Sequence, residues 1–164
     1  MKIINQRQIV EDNWQTIDED TAIDQLAAAS LIVSLPFWQE HKDDLSQRSE
    51  PLGIKLQPED DVMDIAEHLA QFALVTLEFS AFRDGRAYSQ ARQLRQHLGY
   101  QGEIRATGNV LRDQLMYMER VGFTSFEIDS KQDINDALNA FDEIKIKYQA
   151  SSDEALPLFK RRTA

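Results

Sequence analysis

Short segments that suit strands alternate with longer amphipathic segments along most of this chain. The short ones are five to seven residues long and are mostly rich in Leu, Ile, Val and Phe, as buried strands are. The longer ones carry apolar residues three or four positions apart, which is the spacing of one helix face. We predict strands at 31–35, 52–56, 73–79, 103–107 and 123–128 and helices at 61–72, 86–98, 109–121 and 133–147.

Polar residues, prolines and glycines indicate where these helices begin and end. Pro58 and the acidic residues 59–61 suit a first helical turn, because proline needs no N–H there and carboxylates complement the helix dipole. Asn109 suits an N-cap, and Ser130 with Asp133 has capping-box spacing with Asp in place of the usual Glu. A short helix is predicted at 23–30 and a polar helix or loop at 37–49, while Gly99 and Gly122 suit helix ends.

Strand–helix alternation with short connections predicts an α/β fold of right-handed βαβ units with a mostly parallel sheet. We expect one α/β domain at 1–149, which begins with a hairpin or arm at 2–16, and a C-terminal tail at 150–164. Glu103 and Arg105 alternate with apolar neighbours, so that strand has one polar face. A strand covered by helices on both faces would not favour this pattern. A half-barrel with a polar concave face, or the edge of an open sheet, would tolerate it, so both arrangements remain compatible with the sequence.

Composition excludes several classes of functional site and partner. The chain has no cysteine, which excludes disulfides, thiolate metal sites and cysteine nucleophiles. A net charge of −10 argues against nucleic-acid binding, which needs a basic face. No apolar run approaches the ~20 residues of a membrane span, and the first residues lack a signal peptide's apolar core, so we expect a cytoplasmic protein. Residues 83–120, however, hold seven basic and four acidic side chains, a net of +3.

These arginines fall where ligands of parallel α/β proteins bind, at the C-terminal ends of strands and the starts of helices. A cation in a first helical turn opposes the helix dipole, so Arg83 and Arg86 would be better placed if they shared an anion with the helix end. The alternative is that Arg86 pairs with Asp84 or with the acidic N-terminal half. The predicted anion site consists of Arg83, Asp84, Gly85, Arg86, Arg105, Gly108 and Asn109.

A second cluster is predicted from strand alternation, which places Arg105 between Glu78 and Glu127 on neighbouring strands. These three groups would form either a structural ion network or the floor of a pocket. The sequence indicates no metal site, because His41, His68 and His97 are far apart and none has a partner at ligand spacing. It indicates no cofactor either, and it contains no dinucleotide or phosphate-loop fingerprint.

One set of positions carries a family pattern: Asp84–Ser89, Ala91–Arg92, Leu94–Arg95, Gly102–Ala106, Gly108, Val110–Gln114 and Gly122–Phe123, with Asp12, Trp14 and the strand at 31–35. At these positions the chain resembles a bacterial family known as domain of unknown function 934, over about residues 1–145. The resemblance implies a proteobacterial protein of a kind often labelled oxidoreductase and typically encoded beside assimilatory sulfite or nitrite reductase. It transfers no catalytic residue.

We therefore expect an accessory protein of sulfite and sulfate assimilation that binds an anion or a reductase partner. The alternative is a small enzyme, an oxidoreductase or another class, acting on an anionic metabolite at the C-terminal ends of the strands. A ligand-sized cavity containing Arg105 and at least one carboxylate would favour the enzyme. A pure interaction module would instead have no pocket and an exposed apolar patch. The oligomeric state stays open.

Overall fold

The computed structural model describes residues 1–17, 20–23, 26–81, 83–144 and 146–161. In this part of the chain eight strands form one sheet, in the order β2-β1-β8-β7-β6-β5-β4-β3. The strands are β1 (Lys2–Asn5), β2 (Gln8–Glu11), β3 (Gln15–Thr16), β4 (Leu31–Ser34), β5 (Leu52–Leu56), β6 (Phe72–Phe79), β7 (Glu103–Gly108) and β8 (Ser125–Phe126).

Strands β3 to β8 lie side by side in chain order and are parallel. At the other edge β1 and β2 form an antiparallel hairpin, and β1 is antiparallel to β8. Because right-handed crossovers between consecutive strands all pass on one side, this order places the helices on a single face of the sheet. The predicted α/β class, the mostly parallel sheet and the N-terminal hairpin are confirmed.

The helices are α1 (Leu35–Leu45), a 3₁₀ helix (Val62–Gln71), α2 (Arg86–Arg92), α3 (Leu115–Val121), α4 (Ile134–Asn139) and α5 (Leu158–Arg161). A π-helical turn (Gln93–His97) extends α2, a 3₁₀ turn (Arg112–Gln114) precedes α3, and another (Ala140–Asp142) follows α4. The predicted helix at 109–121 therefore begins three residues late, and the one at 133–147 ends at 142. The predicted helix at 23–30 lies partly outside the described residues, and residues 26–30 are not helical.

Side-chain caps explain several helix starts. The Ser34 hydroxyl accepts a hydrogen bond from the Phe37 N–H, so α1 follows β4 directly with Pro36 in its first turn. Asp61 caps the 3₁₀ helix through the Met63 N–H. Asp133 itself, rather than Ser130, caps α4 through the Asn135 N–H.

The sheet is curled into a half-barrel, and one connection shows why. Strands β2 and β3 lie at opposite edges, so seven spacings of about 4.8 Å would separate them by about 34 Å if the sheet were flat. The three residues Asp12–Trp14 join these strands, and a connection of that length spans at most about 14 Å. The edges must therefore approach each other, with residues 12–14 crossing the concave face.

The two faces of the half-barrel differ in polarity. The convex face carries Ile54, Val75, Leu77, Ile104 and Ala106, which are all fully buried in the main core beneath the helices. The concave face carries the alternate positions, several of them polar, so the half-barrel resolves the question that the polar alternation in β7 had left open. No helix in the described ranges is long and apolar enough to cross a membrane.

Residues near the C-terminus pack on α3. The Ser151 hydroxyl donates a hydrogen bond to the Arg120 carbonyl at 2.7 Å, and the Ser152 hydroxyl donates to the Val121 carbonyl at 2.8 Å. These bonds attach part of the predicted tail to the α/β domain.

Candidate ligand-binding site

Strand register brings polar side chains together on the concave face. Lys55 of β5 lies beside Thr76 of β6, which lies beside Arg105 of β7. One step further along, Glu78 lies beside Thr107. Since alternate residues of a strand point to the same face, the pleat alone assembles this polar surface from three neighbouring strands.

A cavity of about 330 Å³ lies on this face towards the C-terminal ends of the strands. The crossing segment contributes one wall, and the loop after β7 contributes Gly108. The lining residues are Met1, Asp12, Trp14, Thr16, Ile32, Lys55, Thr76, Glu78, Arg105, Thr107, Gly108 and Glu127.

Arg105 is buried in the floor of this cavity, with only 2% of its surface exposed. Its Nη1 donates to both carboxylate oxygens of Asp12 at 3.0 Å. Its Nε and Nη2 donate to Oε1 of Glu103 at 3.1 and 2.9 Å, and the Ser125 hydroxyl donates to the same oxygen at 2.5 Å. Two carboxylates therefore balance the guanidinium charge, and Arg105 is held as a fixed structural group.

The predicted partners of Arg105 were wrong. Its ion pairs are with Asp12 and Glu103, whereas Glu78 pairs with Lys55. The reason is register: Thr76, and not Glu78, lies beside Arg105, and Glu78 is one step closer to the C-terminal end. Glu127 lines the same cavity without an ion pair to Arg105.

Lys55 and Glu78 form the accessible charged pair of the cavity. Their Nζ and Oε2 atoms lie 2.5 Å apart, and the two side chains are 33% and 24% exposed. The hydroxyls of Thr76 and Thr107, which lie beside them on the same face, donate to strand carbonyls at 3.5 and 3.4 Å. Their oxygens keep lone pairs that a ligand can use.

The predicted anion site does not assemble as one cluster. Of its seven residues, Arg105 and Gly108 line the cavity, and Arg83, Asp84, Gly85, Arg86 and Asn109 do not. Asn109 is not an N-cap, because the helical turn begins at Arg112 and the Asn109 N–H donates to the Phe79 carbonyl at 2.8 Å. Gly108 has a φ of +83°, and a Cβ there would lie 2.5 Å from the Phe79 carbonyl oxygen.

The charged side chains at the start of α2 are paired with each other and with Glu59. Asp84 accepts hydrogen bonds from Nε and Nη2 of Arg86 at 2.9 and 2.6 Å, and Arg86 also donates to Glu59 at 3.0 Å. Hydrogen bonds from the Arg86 side chain and N–H hold the pKa of Asp84 well below its usual range. The pairings that the sequence offered as the alternative to anion binding, with Asp84 and with the acidic N-terminal half, both occur.

Sequence reasoning missed several residues of the cavity. Lys55 gave a local signal, since it is a lone cation within an otherwise apolar strand. Asp12 and Trp14 belong to the positions of the family resemblance, but no local pattern placed them at the cavity, because their place above the sheet depends on its curvature. In the described ranges, no three His, Cys, Asp or Glu side chains are grouped so that they could hold a metal ion.

Comparison with known proteins supports the resemblance noted from the sequence. A family model described as "Bacterial protein of unknown function (DUF934)" matches residues 53–159. The chain belongs to this family. The matched region runs from the second residue of β5 through β8 and so includes Lys55, Glu78 and Arg105, whereas Asp12 and Trp14 precede it. A search of the curated proteins and a search of the solved structures found no match.

Proposed function

We propose that this protein binds a small polar metabolite carrying an anionic group in the concave cavity, and that it serves sulfite and sulfate assimilation in the cytoplasm. The observation that carries the proposal is the ligand-sized cavity with Lys55, Arg105 and carboxylates in its lining. The C-terminal ends of parallel strands, where it lies, are where α/β proteins place their ligands and catalytic groups. The sulfur-assimilation setting rests on the family resemblance alone.

The charges of the lining narrow the class of ligand. Lys55 and Arg105 stand against the carboxylates of Asp12, Glu78 and Glu127. Asp12 and Glu103 both hold Arg105, which is only 2% exposed, whereas Lys55 is 33% exposed and has a single partner, Glu78. Lys55 is therefore the cation that we expect to meet an anionic group. Glu78 and Glu127 would meet an amino or hydroxyl group. A simple inorganic dianion suits this lining poorly, whereas a zwitterion such as an amino acid suits it well.

Calorimetric titration tests the ligand class. The probes are serine, cysteine and homocysteine as zwitterions, with sulfite and sulfate as inorganic anions. We expect one of the amino acids to bind, and Lys55→Gln to weaken its binding by about tenfold or more by removing a charge-assisted hydrogen bond. Arg86→Ala is the matched control, because Arg86 is a paired arginine outside the cavity. This variant should bind the amino acid with the affinity of the wild type. No binding at millimolar concentration, or equal affinity in Lys55→Gln, contradicts the proposal.

Growth tests the metabolic setting separately. A deletion strain should grow normally on cysteine and poorly on sulfate, and a plasmid carrying the wild-type gene should restore growth on sulfate. A plasmid carrying Lys55→Gln should not restore it. Equal growth of the deletion strain on both sulfur sources removes the sulfur-assimilation setting and leaves the binding site to be judged by calorimetry.

The same cavity could serve a small enzyme, and the Lys55–Glu78 pair favours this form of the proposal. A carboxylate and an ammonium 2.5 Å apart can pass a proton between them and a bound metabolite. If the protein is an enzyme, Glu78→Gln should abolish turnover even when the metabolite saturates the site, beyond the weaker binding that follows from losing the contact of Glu78 with the ligand. Turnover that persists in Glu78→Gln would contradict this form.

A second candidate function is docking on sulfite reductase or another enzyme of sulfur assimilation. Large apolar side chains are exposed near the C-terminus, and exposed apolar surface favours protein contacts. Pull-down of sulfite reductase by the wild type, and its loss in an Ile146→Ser, Phe159→Ser double variant, would support docking; equal capture by both would not. The exposed residues are Ile144, Ile146, Tyr148, Leu156 and Phe159.

A further inference from the structure

Arg95 is a partly buried arginine that has no carboxylate partner among the described residues. In the described ranges six arginines are buried or half-buried: Arg48, Arg95, Arg105, Arg112, Arg120 and Arg161. Five of them lie within 4.0 Å of a carboxylate oxygen, and Arg95 does not. Charged side chains that leave water are ordinarily paired, so this exception calls for a physical explanation.

Backbone carbonyls hold the Arg95 guanidinium in place. Its Nε donates to the Gly122 carbonyl at 2.9 Å, and its Nη1 donates to the carbonyls of Tyr100 and Gly102 at 2.7 and 2.8 Å. These bonds use three of the five N–H donors of an arginine. Nη2 donates to no acceptor among the described residues. The guanidinium is therefore held through Nε and Nη1, and the two N–H groups of Nη2 are left over.

Arg95 lines a cavity of about 590 Å³ at the N-terminal ends of β7 and β8. The other lining residues are Gln6, Arg7, Gln96, Gln101, Glu119, Gly122, Phe123, Thr124, Ser152 and Asp153. Five of these side chains are neutral amides or hydroxyls that can hydrogen-bond a ligand.

The carboxylates of this cavity already have partners. Glu119 accepts two hydrogen bonds of 2.7 Å from Arg7, and Asp153 pairs with Arg120 and Lys147. Neither is left to neutralise Arg95. Burial lowers the pKa of Arg95, because its positive charge is partly withdrawn from water. This agrees with the lack of a neighbouring carboxylate among the described residues.

We propose that this cavity binds a small oxyanion, a phosphate, sulfate or carboxylate group, on Nη2 of Arg95. The neutral amides and hydroxyls around it would bind the remaining oxygens of the ligand. The site lies at the opposite end of the parallel strands from the concave cavity, so it is independent of the proposed function. Phosphate, sulfate and carboxylate share the negatively charged oxygens that guanidinium groups bind.

Inorganic phosphate, sulfate and citrate are the probes, each compared with sodium chloride at equal ionic strength. Calorimetry gives the affinity, and the ¹⁵N spectrum of the arginine Nε–H groups shows which arginine responds. We expect at least one probe to bind and to shift the Arg95 signal. Arg83→Gln is the matched control, because Arg83 is exposed and does not line this cavity; it should bind as the wild type does.

Gln101→Glu tests the site without breaking the carbonyl bonds of Arg95. It places a negative charge in the cavity, so it should weaken oxyanion binding by about tenfold or more through repulsion and competition for Arg95. Arg95→Lys should also weaken binding. The proposal fails if no probe binds at millimolar concentration, or if the affinity is unchanged in Gln101→Glu. Arg95 would then only connect the segment at 100–102 to Gly122 through its bonds to their carbonyls.

Discussion

The carboxylate of Asp12 accepts two hydrogen bonds of 3.0 Å from Nη1 of Arg105, a residue 93 positions later in the chain. This pair connects the segment that crosses the concave face to the centre of the sheet. Arg105 is 2% exposed and the Asp12 side chain 9%. The contact is therefore a buried ion pair, and it holds one wall of the candidate site.

Removing the Asp12 carboxylate should destabilise the fold, because Arg105 would stay buried with one partner fewer. We expect Asp12→Ala to lower the free energy of unfolding by about 3 kcal/mol, towards the lower end for broken buried pairs because Glu103 still contacts Arg105. Asp142→Ala is the control, since Asp142 also pairs with an arginine but is 78% exposed, and it should cost less than about 1 kcal/mol. Urea unfolding measures both, and equal losses would mean that Asp12 is not effectively buried.

Gly53 determines how closely Trp14 can approach the sheet. A Cβ at this position would lie 3.2 Å from both Trp14 Cζ3 and Ile32 Cγ1. We expect Gly53→Ala to displace Trp14 and to destabilise the protein by about 1–3 kcal/mol. In a Trp38→Phe background, where Trp14 is the remaining tryptophan, its emission should shift to longer wavelength.

Gly85→Ala is the matched control for that substitution. An added Cβ at Gly85 meets only Tyr88 Cδ2, at 4.0 Å, and the φ of −91° suits any residue. Its stability should stay the same or rise by about 0.5 kcal/mol, because alanine restricts the unfolded chain. A similar loss in both variants would show that crowding beneath Trp14 is not the cause.

Tyr88 should make stability depend on alkaline pH. Burial, then the nearby Tyr117 and Asp113, raises the pKa of Tyr88 to about 12. The neutral phenol is thus favoured in the folded state, so its contribution is complete below about pH 10 and is lost between about pH 10 and 12. We expect Tyr88→Phe to reduce the fall in unfolding free energy over this range. An identical pH profile in the two proteins would contradict the assignment.

Gly99 and Gly122 both have positive φ, +65° and +131°, but a side chain should cost more at Gly122. Gly99 lies in the left-handed region that alanine can adopt, and an added Cβ there meets nothing within 4 Å, so Gly99→Ala should cost about 1 kcal/mol of unfolding free energy. Gly122 lies outside that region, and an added Cβ collides with the Arg95 side chain, so Gly122→Ala should cost more, by about 1–3 kcal/mol. Equal costs in thermal unfolding would contradict this.

The sequence by itself determined the order and type of the main elements. The strand at 52–56 was predicted with the bounds that the structure has, and the helix at 61–72 differs by one residue at each end. Such elements follow from local periodicity, since each buries one apolar face against its neighbours. The alternation in β7 also indicated a polar face, and in the half-barrel that face is the concave one.

Only the tertiary structure decided which polar groups meet. Asp12 reaches Arg105 because the sheet curls enough for three residues to join its opposite edges, and nothing near either residue in the sequence encodes that curvature. Inter-strand register places Thr76 between Lys55 and Arg105, and Lys55 reaches diagonally to Glu78. Arg86 points to Asp84 and Glu59, so its charge is paired outside the cavity. Periodicity is a property of neighbours along the chain, whereas a site is made by residues that are distant in the sequence and close in the folded structure.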